Sequence, residues 1–320
     1  MISVLAGGVG AARYLRGLSQ VVPHGDITAI VNTGDDTVMH GLSISPDIDT
    51  VTYTLSDAID PDRGWGLRDE TWRAMESLDR FADARPNGSR AGERWFNLGD
   101  KDLATHFYRT TRLAEGASLT EVTDEIRRAF GLGIRIVPMS NERVSTMVHL
   151  AADDSVVSFQ EYFVKLRHDV AVKRIELRGI ESARFVDESL ISGADAVVIA
   201  PSNPIVSIGP IRAITGVDNL LAARRESVVG ISPIVAGTAL KGPADRMLTE
   251  LGFEATVVGV ARMYAPVCGT LVIDEQDAHL RADVEACGVR CVVTDTIMSK
   301  PGVGASLARA TIDAVTRRGN

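Results

Sequence analysis

The feature that most narrows the folds open to this chain is a series of short apolar runs. They are Ile2–Ala6, Ile27–Val31, Ile134–Val137, Ala196–Ala200, Val228–Val235, Leu271–Ile273 and Val289–Val293. Most are nearly continuous in apolar character rather than alternating. An alternating strand keeps one face wet, whereas a continuous one is buried on both faces, as in a parallel sheet covered by helices. Most runs lead within a few residues into Gly, Ser, Asn or Asp, and helical patterns follow. Strands and helices taking turns predict an α/β fold, Rossmann-like and doubly wound, with a mainly parallel sheet. At 320 residues and 45% hydrophobic content the chain can bury a large core without a disulfide or metal staple.

One stretch breaks the rhythm. From Asp49 to Phe130 the pattern is mostly helical and polar. Ser118-Leu119-Thr120-Glu121 fits a capping box, Leu119, Val122, Ile126 and Phe130 recur at helical spacing, and Gly131 supplies a stop. Residues 46–131 are therefore expected to form a helical insert. Residues 1–45 and 132–320 would form the Rossmann-like nucleotide-binding domain. Ala82–Gly92 reads as a loop. A second excursion, about 141–190, holds Val156–Phe159 and the charged run Lys165–Arg178, expected to be a solvated face.

Charge removes several function classes. The chain carries 34 Lys+Arg against 42 Asp+Glu, a net −8, so it lacks the basic face that non-specific nucleic-acid binding requires. A local basic pocket for a phosphorylated small molecule is still allowed. No apolar run approaches the roughly 18–20 residues needed to span a bilayer, so no membrane partner is expected. Met1–Ala6 enters Gly7-Gly8 with no basic region and no cleavage site, which is not the pattern of a signal peptide. Cys268, Cys287 and Cys291 read as reduced thiols of a cytoplasmic protein.

Chemistry is expected where strands end. Ile2–Ala6 is followed by Gly7-Gly8-Val9-Gly10-Ala11-Ala12-Arg13 and then a helical pattern. Glycines let a backbone approach an anion, and the free N–H groups of the helix start point at it. Gly8, Gly10 and Ala11 are the phosphate-loop candidates. Arg13 stands where a dinucleotide fingerprint has Gly or Ala, and it can pair with a phosphate. A plain turn that binds nothing is the competing reading. The second strand ends in Asn32 and Thr33, not in the acidic residue that grips a ribose, which argues against an NAD(P)-dependent dehydrogenase.

Asn32-Thr33-Gly34-Asp35-Asp36 and Ser45-Pro46-Asp47-Ile48-Asp49-Thr50 place four carboxylates within fifteen residues of one another. Such a cluster suits Mg²⁺, a hard ion that favours oxygen ligands, or removal of a proton from an attacking hydroxyl. N-caps and solvated turns are the alternative use of these aspartates. Ala196–Ala200 leads into Pro201-Ser202-Asn203-Pro204 and Ser207, a second candidate anion loop. Lys241, before Pro243, is a candidate point charge for a diphosphate. Cys287 and Cys291 lack the companions of a zinc site. His106 reads as a helix-face histidine rather than a ligand. Trp65, Trp72 and Trp95 read as core, with stacking on a planar ring as the alternative.

Taken together, these segments resemble the 2-phospho-L-lactate transferase family, whose actinobacterial members are called phosphoenolpyruvate transferases. The resemblance rests on Gly7–Gly10, Asn32–Asp36, Ser45–Val51, Leu98–His106, Val137–Ser140, Ala200–Pro204 with Ser207–Pro210, Lys241–Ala244 and Asp295–Met298, in that order along nearly the whole chain. It implies a Mg²⁺-assisted transfer in the making of coenzyme F-420. A guanosine-diphospho-activated three-carbon acid would give its phospho-acid group to the ribityl hydroxyl of the deazaflavin Fo, and GMP would leave. It further implies Asp49 and Asp36 as catalytic residues, and Asp35, Asp36 and Asp49 around the metal. Gly8, Gly10, Ala11, Arg13, Ser202, Asn203, Pro204, Ser207 and Lys241 would hold the guanine nucleotide. Asn32, Thr33, Asp49, Thr50 and Asn97 would face Fo. Asn97 stands where archaeal relatives often carry Lys. The implied partners are small-molecule substrates and a second copy in a homodimer. A nucleotide-binding regulatory protein of the same fold, without chemistry, is the alternative from another class.

Overall fold

The structure is a computed structural model, and it describes residues 1–240 and 242–316. All seven apolar runs enter one sheet: β1 (Ile2–Ala6), β2 (Ile27–Val31), β3 (Arg135–Pro138), β4 (Ala196–Ile199), β5 (Val228–Ile231), β6 (Thr270–Ile273) and β7 (Arg290–Val293). The order is β7-β6-β5-β4-β1-β2-β3, and every neighbouring pair is parallel. β1, β2, β4, β5 and β6 are buried at every residue, as their continuous apolar character requires. β3 is an edge strand, where Pro138 is tolerated because no further strand asks for its missing N–H.

Helices cover both faces. On one, α1 (Gly8–Leu18), α2 (Pro46–Leu55) and α5 (Val303–Thr316) pack on the sheet, with α3 (Asp100–Ala114) and α4 (Leu119–Ala129) falling between α2 and α5 along the chain. Ala11, Leu15, Ile48, Val51 and Leu307 share one core with the β1 and β2 side chains Val4 and Ala29. The Tyr14 hydroxyl on α1 meets Thr311 Oγ1 on α5 at 2.8 Å. On the other face Ile208, Ile211, Leu221, Val257, Val260 and Tyr264 pack against Leu5, Val197 and Leu271.

Three expectations change in detail. The run Val228–Val235 is not one strand: it breaks at Ser232-Pro233, and Ile234–Val235 turns into a small antiparallel pair with Thr238–Ala239. Proline cannot donate to a ladder, so a central strand ends before it. The helicity expected of Asp49–Phe130 holds at its ends, in α2, α3 (Asp100–Ala114) and α4 (Leu119–Ala129), but fails between 56 and 99. There only a short helix, Arg73–Ser77, and one 3₁₀ turn, Leu78–Phe81, interrupt irregular chain. Pro61, Gly64, Gly66, Pro86, Gly88 and Gly92 break every longer helix. Finally, α2 belongs to the layers of the sheet although it lies within 46–131, because Ile48 and Val51 sit in the sheet's core.

The expected capping box is formed. Ser118 accepts from the Glu121 N–H, and Glu121 reaches back to the Ser118 backbone. The excursion at 141–190 is a three-stranded antiparallel sheet of Val156–Ser158, Ser145–Leu150 and Val172–Arg178, in that spatial order.

Candidate active site

The strand order reverses between β1 and β4, and a crevice opens beyond the carboxyl ends of strands at such a switch point. Gly7 leaves β1 and Gly8, at φ +68°, turns the chain into α1. The loop after β4 closes against this turn. Ser202 Oγ donates to the Gly7 carbonyl at 2.7 Å. A Cβ on Gly7 would lie 2.6 Å from Ser207 Cβ, and one on Gly10 would run into the Pro201 carbonyl oxygen. These glycines therefore make room first for the neighbouring loop, and the α1 N–H groups beside it remain for an anion.

The structure packs the Gly7–Gly10 turn against the loop that carries Ser202 and Ser207, and it limits what some of these residues can offer. Ala11 is fully buried in the sheet's core, so its side chain is not available to a ligand. The Ser202 hydroxyl is spent on Gly7, and Asn203 Oδ1 accepts from Ile205 N at 2.9 Å, so both shape the loop. Pro204 is buried in the same loop and Arg13 is half-buried on α1. Lys241 lies outside the described residues.

The acidic corner is built around Asn32, at the end of β2. Its Oδ1 accepts from Gly34 N at 2.9 Å, and its Nδ2 donates to Asp47 Oδ2 at 2.9 Å and to the Val206 carbonyl at 3.3 Å. Asn32 is thus a bracket between the β2 loop, α2 and the β4 loop, with both donor hydrogens spent and one lone pair of Oδ1 left. Asp47, in the first turn of α2, lies against the glycine loop: a Cβ on Gly7 would stand 3.0 Å from its Oδ2.

Burial raises three of the carboxyl groups. Asp35 is pushed well up by burial, then by the charges of Asp47 and Asp36. Asp36 is pushed up to about 8 by burial, against a hydrogen bond from Ser45 Oγ at 2.7 Å. Asp47 is pushed up to about 6 by burial, offset in part by Asn32 and the Gly8 backbone. Asp35 Oδ1 and Asp36 Oδ1 are buried with no hydrogen-bond partner among the described residues. Carboxylates desolvated together with unmet oxygens are short of positive charge. That all-oxygen set fits Mg²⁺, which binds through one or two carboxylates and keeps several waters.

Asp49 has a different setting from the other three carboxylates. Both of its oxygens are taken by Arg109: Oδ2 accepts from Nη1 at 3.1 Å, and Oδ1 pairs closely with Nη2. Arg109 is only 1% exposed. A fixed guanidinium supplies the charge that a metal would bring, so Asp49 stands here as an ion-paired anchor. Asp49, Asp102 and His106 do present ligand atoms within 4.8 Å of one another, but a cation there would have to compete with Arg109.

His106 is corrected, from a helix-face residue to a fully buried one. Its Nδ1 lies 3.2 Å from Arg109 Nη1 and its Nε2 lies 3.2 Å from Asp102 Oδ2. Asp102 Oδ1 accepts from the Tyr53 hydroxyl at 2.7 Å. Burial works to raise the Asp102 carboxyl, but His106, Tyr53 and Arg109 outweigh it and hold it below the usual range. Arg109, Asp102 and Tyr53 were missed in the sequence. A signal existed: positions 102, 105, 106 and 109 lie on one face of α3, and every one is polar.

The remaining acceptor candidates are spread out. Thr33 is buried, with its Oγ1 unpartnered among the described residues. Thr50 is half-buried on α2, and Asn97 is exposed just before the buried Leu98. Trp65, expected in the core, is instead 43% exposed because it lies in the irregular 56–99 chain, and the Arg63 guanidinium lies 5.4 and 4.8 Å from the ring centres of Trp65 and Trp72.

A family model described as 2-phospho-L-lactate transferase CofD matches residues 2–307. The chain belongs to that family. It is 41% identical over 317 residues to a phosphoenolpyruvate transferase of Streptomyces griseus, covering 98% of this chain and 97% of the relative. It is 38% identical over 319 residues to the phosphoenolpyruvate transferase of Nocardia farcinica, covering 98% and 94%. Among solved structures, a Bacillus halodurans protein of the UPF0052 family matches with a TM-score of 0.61 at 16% identity, over 97% of this chain and 98% of that one. That likeness carries the fold. Membership of the transferase family makes this chain a transferase acting on small molecules. No helix among the described residues is long and apolar enough to cross a membrane.

Proposed function

We propose that this transferase moves a phosphoenolpyruvyl or 2-phospholactyl group from its guanosine-diphospho-activated donor to the ribityl hydroxyl of the deazaflavin Fo, in coenzyme F-420 biosynthesis. The observation that carries the reading is a buried acidic set at the switch point, with Asp47 against the glycine loop and Asp35 and Asp36 close enough for their charges to act on one another. A regulatory nucleotide binder has no need of such a corner. The names of the relatives favour the enolpyruvyl acid.

Phosphoryl transfer asks a protein mainly for positioning and charge stabilisation. The α1 N-terminus and Arg13 hold the donor diphosphate, with the Ser202–Ser207 loop bracing them. Asp35 and Asp47 would hold Mg²⁺, which when bound neutralises diphosphate charge. Asp49, fixed by Arg109, accepts a hydrogen bond from the ribityl chain and orients the reacting hydroxyl. Asp36 takes that hydroxyl's proton, a task suited to a carboxyl whose pKa has risen towards neutrality. The new bond joins the hydroxyl oxygen to the phosphorus bearing the three-carbon acid. The bond from that phosphorus to the bridging oxygen breaks, and GMP departs with the bridging oxygen. The planar ring of Fo is placed between the acidic loop and the 56–118 segment.

The test incubates the protein with Fo, Mg²⁺ and each guanylyl-activated acid in competition. GMP and the coupled deazaflavin product are expected in equal amounts, with one acid preferred. No coupled product with any acid contradicts the reading.

A further inference from the structure

Helix α3 is built inside out. Its buried residues are Asp102, Thr105, His106 and Arg109, whereas Phe107 and Tyr108 are exposed. A buried ion pair is often no more stabilising than apolar side chains of the same volume, so stability alone does not account for this face. The contacts run towards one residue. Arg109 holds both oxygens of Asp49. A guanidinium has no acceptor, so its contact with His106 Nδ1 at 3.2 Å needs the lone pair of that nitrogen. The ring proton then sits on Nε2, which lies 3.2 Å from Asp102 Oδ2 but makes no hydrogen bond among the described residues, while Tyr53 donates to Asp102 Oδ1. Arg109 Nε is buried with no partner among the described residues, so the guanidinium is held through its two amino ends.

We propose that Arg109 is a positioning residue for the acceptor: it fixes Asp49 through both oxygens, and His106 braces Arg109 in turn. Each carboxylate oxygen of Asp49 keeps a lone pair beyond the one given to Arg109, and these receive hydroxyl groups of a polyol chain. The assignment rests on the function proposed above, and it adds that acceptor recognition is separable from nucleotide binding. The diphosphate loops and the Asp35–Asp36–Asp47 corner are formed by residues other than those of α3.

The test compares Arg109→Lys, Arg109→Gln, His106→Asn and His106→Leu with the wild-type protein. Fo binding is read from deazaflavin fluorescence, GDP binding from calorimetry, and the His106 tautomer from ¹⁵N NMR. Arg109→Lys and Arg109→Gln should weaken Fo by about tenfold or more and leave GDP within about twofold. His106→Asn offers an amide oxygen where Nδ1 was and should stay within about threefold for Fo, whereas His106→Leu should fall with the Arg109 variants. In the wild type Nδ1 should be unprotonated. Equal loss of Fo and GDP in every variant, unchanged Fo affinity in all of them, or a protonated Nδ1 overturns the assignment. If Arg109→Gln does not fold, the two His106 variants decide. Failure of the wild-type protein itself to bind Fo overturns the transferase reading first, and this assignment with it.

Discussion

Asp36 and Asp47, raised by burial to about 8 and about 6, give the acidic corner a pH dependence with a definite sign. An unfolded aspartate titrates near 3.9, so between roughly pH 4 and 8 the folded state holds protons that the unfolded state has released. Stability of the metal-free protein is therefore expected to fall as pH rises through that window. A divalent cation, which needs the ionised form, should raise the melting temperature more at pH 8 than at pH 5. Thermal unfolding in chelator and in Mg²⁺ across that range checks both trends, and Asp36→Asn should flatten the first. A metal-free melting temperature that climbs from pH 5 to 8 would contradict the burial argument. At this scale the carboxylates were legible because they cluster at a strand end, where α/β folds place chemistry. The partner of Asp49 was not, because Arg109 is 60 positions away and only the folded path of α3 brings it back.

At the scale of elements, the strands were legible from apolar continuity and α4 from its cap. Ser118→Ala should cost about 1 kcal/mol in a denaturant titration, since it removes one half of the reciprocal cap. No loss would mean that α4 is held by its packing on the sheet alone. Outside the Ala82–Gly92 loop that the sequence predicts, the helicity expected of the 56–99 segment fails because its polarity suits an exposed helix as well as an irregular loop. Its glycines and prolines settled the matter locally, as Pro233 did for the end of β5. α3 was legible as a helix but not in its orientation. The usual rule that apolar faces turn inwards gives the wrong answer for a helix whose buried face is charged.

For the whole molecule, the fold class followed from the alternation of strands and helices, and the order β7-β6-β5-β4-β1-β2-β3 put the glycine loop and the β4 loop on either side of the switch point. The sequence could not say how the four neighbouring aspartates divide. The folded chain sets Asp47 against the glycine loop and pairs Asp49 with Arg109, and Asp36 feels the charges of both Asp47 and Arg109. The most direct measurement is anomalous diffraction from crystals grown with Mn²⁺ and GDP. The account predicts a metal peak at Asp35 and Asp47, beside a diphosphate lying on the α1 N-terminus, with Asp49 still paired to Arg109. A peak at Asp49, Asp102 and His106 with Arg109 displaced would contradict it.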